Sequence, residues 1–213
     1  MRARCDILLA VSAAVAAGGC ADISPPNRSA DSYDWQLLTS EGELTFNWPT
    51  SSLPVKIWVE DSLGLLDHTA AGIETWKAQL LYAEWDAVIV SDSSTADVVL
   101  GFSVIPAVRS VKLFNQGRLC SGVTSFPLVG STITLPFRVR ITNRAADPTS
   151  PEAQSCFAVT VAHELGHTMG LFQESDDLND LMYGIDPTTG PSTRDRNSVQ
   201  RLYHTQADLT ASR

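Results

Sequence analysis

The sequence has no long hydrophobic run, no excess of positive charge, and few cysteines or histidines. Its main apolar stretch, residues 7–19, is shorter than the roughly 20 residues of a membrane-spanning helix, so we expect no integral membrane protein. Its 15 Lys and Arg are outnumbered by 24 Asp and Glu, which gives a formal net charge of −9. Such a surface repels a phosphate backbone and excludes nucleic acid as an expected partner. The 44% of hydrophobic residues and 18% of charged residues indicate a globular protein.

The first 20 residues have the pattern of an export signal. Arg2 and Arg4 precede an apolar stretch, and small residues then lead to Cys20. This ending resembles the lipobox of bacterial lipoproteins, in which the signal is removed before the cysteine and the cysteine carries the lipid. The resemblance implies an exported protein that is held at the bacterial cell envelope by a lipid on Cys20. Secretion after cleavage within the Ala/Gly run is the alternative.

The rest of the chain predicts an α+β fold, because most of the strand-like runs precede the second predicted helix. We expect a signal peptide at 1–19, a tether or N-terminal segment at 20–50 and one domain at 51–213. Alternating apolar residues predict strands, and apolar residues three or four positions apart predict helices. The predicted strands lie at 54–59, 87–90, 97–104, 119–126 and 132–142, the helices at 67–85, 152–169 and 193–204, and an irregular loop at 171–191.

The four cysteines have different expected fates. Cys5 leaves with the signal, and Cys20 is the expected lipid site. Cys120 and Cys156 remain, and two thiols in an oxidising compartment tend to form a bond. We therefore predict a disulfide between them. Two buried free thiols are the alternative.

The second predicted helix carries the pattern H-E-x-x-H, formed by His163, Glu164 and His167. Four residues make about one helical turn, so both imidazoles point the same way and can share a tetrahedral zinc, while Glu164 can reach a metal-bound water. Two exposed helix histidines are the alternative. We predict one catalytic zinc with His163 and His167 as ligands and Glu164 as general base. The sequence carries no signal for or against a structural calcium.

The stretch 163–183, HELGHTMGLFQESDDLNDLMY, resembles the metzincin clan of zinc peptidases, whose motif H-E-x-x-H-x-x-G-x-x-H precedes a methionine-containing turn. Gly170 matches the glycine of the motif. Leu-Met-Tyr at 181–183 is similar to the Met-turn of the matrixin branch, and the last predicted helix is similar to the matrixin terminal helix. The resemblance implies a mixed twisted sheet with two helices, followed by a small irregular C-terminal subdomain that contains the Met-turn and the final helix. Met182 would be the apolar floor of the metal site.

The resemblance also implies a metalloendopeptidase, which hydrolyses peptide bonds with metal-activated water. Its protein or peptide substrate would lie extended along an edge strand, expected at about 119–126. We expect a monomer that meets the membrane only through the lipid anchor.

The sequence departs from the metzincin motif at Gln173, where the clan has His or sometimes Asp. The amide oxygen of Gln173 can reach the metal but is a poorer zinc donor than imidazole or carboxylate, so we predict Gln173 as third ligand with reduced metal affinity. Glu174, one position away, is the alternative third ligand. A fold that has lost turnover through Gln173, acting as a pseudoenzyme or binding lipoprotein, is the alternative function.

Overall fold

The computed structural model describes residues 31–40, 42–102, 110–116, 119–185 and 190–213. The predicted signal peptide, the lipid site at Cys20 and the first part of the predicted tether lie outside the described residues. Within them, no helix is long and apolar enough to cross a membrane.

The described chain forms ten strands and three α-helices in an α+β arrangement. The strands are β1 (Leu37–Thr39), β2 (Gly42–Leu44), β3 (Val55–Val59), β4 (Ala87–Val90), β5 (Val98–Gly101), β6 (Ser110–Gln116), β7 (Cys120–Val129), β8 (Thr132–Thr134), β9 (Phe137–Asn143) and β10 (Thr210–Ser212). The helices are α1 (Leu65–Lys77), α2 (Pro151–Met169) and α3 (Thr193–Tyr203).

The main sheet is mixed and mostly parallel. Its order is β10-β8-β7-β9-β5-β3-β4, with β6 paired to β7 beside this path, while β1 and β2 form a separate hairpin. Strands β3, β4, β5 and β9 are parallel, and β7 runs antiparallel to β9. Apolar residues alternate along β3, where Val55, Ile57 and Val59 are buried, because one face of the sheet covers the core. The mixed sheet confirms the α+β expectation.

Helices α1 and α2 pack on each other and on the sheet. Their close approach depends on Gly72, because a Cβ there would lie 2.9 Å from the Leu165 side chain. Ser150 caps α2 through its hydroxyl, Pro151 opens the helix, and Gly170 ends it in a left-handed conformation with φ of 114°. The predicted bounds of α2 and α3 agree with the structure to within one residue, and the predicted glycine terminus is confirmed.

Other predicted elements need correction. The first helix ends at Lys77 and not near residue 85, since the chain must leave α1 to reach β4, which pairs in parallel with β3. The single strand expected at 132–142 is two strands separated by Pro136, and β8 and β9 lie on opposite sides of β7. Strands β1, β2, β6 and β10 were not predicted.

The packed unit begins earlier than the boundary expected at residue 51. Tyr33, Trp35, Leu37, Phe46 and Trp48 are all buried in the main hydrophobic cluster. The backbone of Phe172 also donates a hydrogen bond to the carbonyl of Trp35. Much of the segment assigned to a tether therefore packs beside the loop that follows α2.

Candidate metal centre

Helix α2 places the three residues of the H-E-x-x-H pattern in the interior. His163, Glu164 and His167 have no solvent-exposed surface. The two imidazoles are one turn apart, and their Nε2 atoms lie 3.1 Å from each other. The two histidines therefore converge as predicted. The alternative, two exposed histidines on the helix, is wrong.

Backbone carbonyls fix the proton positions on both imidazoles. Nδ1 of His163 lies 2.8 Å from the carbonyl oxygen of Leu181, and Nδ1 of His167 lies 2.5 Å from that of Leu171. A carbonyl oxygen only accepts hydrogen bonds, so each Nδ1 carries the hydrogen and donates it. In the neutral ring the other nitrogen then has a free lone pair. Both Nε2 lone pairs consequently face the same small space.

Glu174 closes this space from the loop after α2. Its carboxylate oxygens lie 3.2 Å from Nε2 of His163 and 3.3 Å from Nε2 of His167. One ligand atom from each of the three residues falls within 4.8 Å of the others. The Glu174 side chain is 34% exposed, so it is the member of the group that solvent reaches.

Gln173 and Glu174 were the two sequence candidates for the third ligand. Gln173 is half-buried and lines a polar cavity of about 350 Å³ together with Glu174, Tyr33 and Arg194. The carboxylate that contacts both imidazoles belongs to Glu174. Glu174, the alternative candidate, is thus the one that lies beside the two histidines.

The two carboxylates beside the imidazoles differ in their environment. Burial raises the pKa of Glu164 to about 8, although the His163 imidazole and the Thr124 hydroxyl act in the opposite direction. Burial also acts to raise the pKa of Glu174, but the imidazoles of His167 and His163, in their protonated form, outweigh it and lower this pKa to about 2. Glu174 is therefore an anion in direct contact with both rings.

Met182 lies fully buried beneath α2. Its sulfur occupies the space that a side chain at position 166 would need, because a Cβ on Gly166 would come 2.5 Å from Sδ. The same Cβ would lie 2.9 Å from the ring of Trp76, whose Nε1 donates to the carbonyl of Ala162. These contacts place Met182 against α2, and its role as the apolar floor of the metal site stays a prediction.

Asp195 of α3 holds the turn that carries Met182, a role that the sequence did not reveal. Its carboxylate accepts hydrogen bonds from the backbone amides of Leu181, Met182 and Ser192 and from the hydroxyl of Tyr33. Burial raises the pKa of Asp195, while the amides of Ser192 and Leu181 act to lower it. Four donors suit an ionised carboxylate, which only accepts. The capping box of α3, Ser192 with Asp195, was the available sequence signal.

The acidic loop after α2 is partly structural. Asp180 is buried and accepts hydrogen bonds from the hydroxyls of Ser175 and Ser192. Arg194 pairs with the exposed carboxylate of Asp176 at 2.8 Å. Asp176 and Asp180 therefore bond to groups other than the two histidines. Glu174 is the acidic residue of this loop that contacts His163 and His167.

The predicted disulfide between Cys120 and Cys156 is present, with a Cα–Cα distance of 6.1 Å. It joins the beginning of β7 to α2, seven residues before His163. The bond therefore supports the helix that carries both histidines.

The substrate edge expected at 119–126 is wrong. Strand β7 is paired on both sides, with β9 along 120–125 and with β6 along 121–127. The sequence predicted no strand at β6. Among the described strands, β6 pairs with β7 outside the main strand order. Along residues 121–125, therefore, β7 offers an extended peptide no unpaired edge.

No protein-family model matches the chain, and no curated protein matches it.

Proposed function

We propose that this chain is a zinc-dependent endopeptidase, with His163, His167 and Glu174 as the metal ligands and Glu164 as the general base. The observation that carries the proposal is the arrangement of three electron-pair donors around one point. Two imidazole lone pairs face each other and a carboxylate, and both ring hydrogens are already used by backbone carbonyls. With both rings neutral, these donors repel one another, and a metal cation between them removes that repulsion, as further ring protons would.

Zinc suits these donors in type and spacing. Imidazole nitrogen and carboxylate oxygen are preferred zinc ligands, and two histidines with one glutamate form a known catalytic set that keeps one position open. Ligands of a tetrahedral zinc at 2.0–2.2 Å lie roughly 3.3–3.6 Å apart. The contacts of 3.1, 3.2 and 3.3 Å among these donors are close to that spacing.

Glu174 changes the chemistry expected of the third ligand. A carboxylate is a better zinc donor than the amide oxygen of Gln173, so the weakened metal site that Gln173 suggested does not follow. A glutamate ligand also lowers the positive charge of the site by one unit relative to a third neutral ligand. The tautomers of His163 and His167 need no further change, because their Nδ1 hydrogens are already bonded to carbonyls.

The reaction follows from the residues around this point. When bound, zinc would supply an electrophile that polarises a scissile carbonyl and acidifies water to a pKa near 7. In its ionised form, which a nearby cation favours, Glu164 would accept the proton of the attacking water and deliver it to the leaving amine. Met182, fully buried against Gly166 of α2, would keep water from that side of the helix.

The choice of peptide bonds rests on the sequence. The resemblance of 163–183 to metzincins supports a peptidase, and the resemblance of the N-terminus to a lipobox supports export and anchoring at the bacterial envelope through Cys20. The substrate would be a protein or peptide.

One observation favours a second candidate, a metal-binding module without turnover. Glu164 and both histidines are fully buried, so a substrate reaches them only if surrounding residues move. This candidate keeps the same three ligands and differs in having no cleavage.

The test is zinc content together with cleavage of a quenched protein substrate, before and after treatment with a chelator. We expect about one zinc per chain, cleavage by the zinc-loaded protein, loss of cleavage on chelation and recovery with added zinc. Stoichiometric zinc without cleavage of a broad panel of unfolded proteins would favour the second candidate. A chain that binds no zinc would contradict both.

A further inference from the structure

The two carboxylate oxygens of Glu164 have different surroundings. Oε2 accepts a hydrogen bond of 2.5 Å from the hydroxyl of Thr124. Oε1 is buried and has no hydrogen-bond partner among the described residues. A buried carboxylate oxygen without a partner is costly, so Oε1 is the atom of this group that gains most from a water or substrate proton.

Thr124 reaches Glu164 from the neighbouring strand β7. Its hydroxyl also lies 3.3 Å from the backbone carbonyl of Glu164, which places it against both the side chain and the helix backbone. The residue is fully buried, and β7 is paired with β6 and β9 on either side. A hydroxyl on such a strand has little freedom to follow a moving carboxylate.

Gly122 lies two residues before Thr124 and therefore on the same face of β7. A Cβ at this position would come 2.6 Å from both Cδ and Cγ of Glu164. Real side chains do not approach this closely, so any side chain at 122 displaces the carboxylate. The glycine provides the space in which Glu164 lies, and the backbone of β7 forms the wall of that space.

We propose that Thr124 is a positioning residue, which holds Glu164 through Oε2 and leaves Oε1 as the oxygen that exchanges the proton in peptide hydrolysis, in a space kept open by Gly122. This inference rests on the proposed peptidase function. The end torsion of a glutamate is broad, so without the hydroxyl the carboxylate samples orientations in which neither oxygen is aimed at the water. Misplacement of a catalytic group by about 1 Å can cost on the order of 100-fold in rate.

The experiment compares Thr124→Val, which keeps the shape and removes the hydroxyl, with Thr124→Ser, which keeps the hydroxyl. For each protein we would measure kcat and KM on a quenched peptide, zinc affinity by chelator competition, and the crystal structure. Thr124→Val should lower kcat by about 10–100-fold, with KM and zinc affinity within about twofold of wild type. Its structure should show the Glu164 carboxylate rotated. Thr124→Ser should retain most of the turnover.

Gly122→Ala is the second test of the same space. It should also lower kcat, and its structure should show Glu164 pushed away from β7. Because this variant risks misfolding, the Thr124 pair decides the matter.

Two results would overturn the inference. One is a Thr124→Val protein with kcat within twofold of wild type. The other is a Thr124→Ser protein as impaired as Thr124→Val, since the methyl group and not the hydroxyl would then matter. Zinc-loaded wild type that cleaves nothing is a separate outcome, which removes the proposed function and this inference with it.

Discussion

The sulfur of Met182 lies directly beneath Gly166, in the space that a side chain at residue 166 would fill. A Cβ there would approach Sδ to 2.5 Å and the Trp76 ring to 2.9 Å. Packing therefore constrains residue 166, the second variable position of the H-E-x-x-H pattern. The turn that carries Met182 packs against α2 at this glycine.

Gly166→Ala should destabilise the fold by about 1–3 kcal/mol, because the added methyl group must displace buried, tightly packed neighbours. Ala has the higher helix propensity, so propensity alone predicts the opposite sign. Denaturant unfolding of the metal-free protein measures the difference. Gly190→Ala, outside the helices, is the control, because a Cβ at Gly190 meets none of the described atoms within 4 Å. Equal stability of both variants would show that Met182 and Trp76 yield without cost.

Glu174→Gln should weaken zinc binding by more than about 10–100-fold, because it replaces the carboxylate of the proposed third ligand with an amide of the same shape. The loss should exceed this range because the range applies to groups that only hydrogen-bond to a ligand. Gln173→Ala is the neighbouring control and should leave zinc affinity within about threefold. Chelator competition gives both values. If Gln173→Ala has the larger effect, the third ligand is Gln173 and not Glu174.

Asp195→Asn should lower the free energy of unfolding by about 2–4 kcal/mol. The new amide group would face some of the four donors that the carboxylate now accepts, leaving buried amides of the Met182 turn unpaired. Thermal and denaturant unfolding measure this loss. Asp61→Asn, at an exposed position before α1, should change stability by less than about 0.5 kcal/mol. Equal effects of the two substitutions would rule out a special role for Asp195.

Removal of the disulfide by Cys120→Ser with Cys156→Ser should cost about 4 kcal/mol, as expected from freeing a loop with a sequence separation of 36 residues. Zinc affinity of the folded fraction should change little, since neither cysteine contacts the three ligands. Unfolding curves of wild type with and without reductant provide an independent comparison. Stability unaffected by reduction would contradict the prediction.

The sequence predicted the parts of this site that depend on local spacing. One helical turn relates His163 to His167, and a left-handed glycine ends α2, so both features follow from short-range geometry. The Cys120–Cys156 bond followed from having two cysteines left in the expected compartment. These inferences required no knowledge of how distant segments pack.

The missed features depend on distant contacts. The contact of Glu174 with both imidazoles is set by the path of an irregular loop, and a shift of one position from Gln173 cannot be inferred from spacing beyond a helix end. Tyr33 and Trp35 lie in a polar segment of the sequence. Their burial depends on contacts with helix α3 and with the loop after α2. Thr124 and Gly122 act across the sheet–helix interface, and their strand pattern gave no signal of Glu164.

The most direct test of the account is to compare wild type with Glu164→Gln at equal zinc loading, measuring cleavage of a quenched protein substrate. The substitution keeps the shape of the side chain and removes its capacity to accept a proton, so the account predicts one zinc per chain in both proteins. It also predicts a loss of kcat of at least about 100-fold in the variant. Comparable cleavage by Glu164→Gln, with zinc bound in both, would contradict the assignment of Glu164 as general base and with it the proposed mechanism.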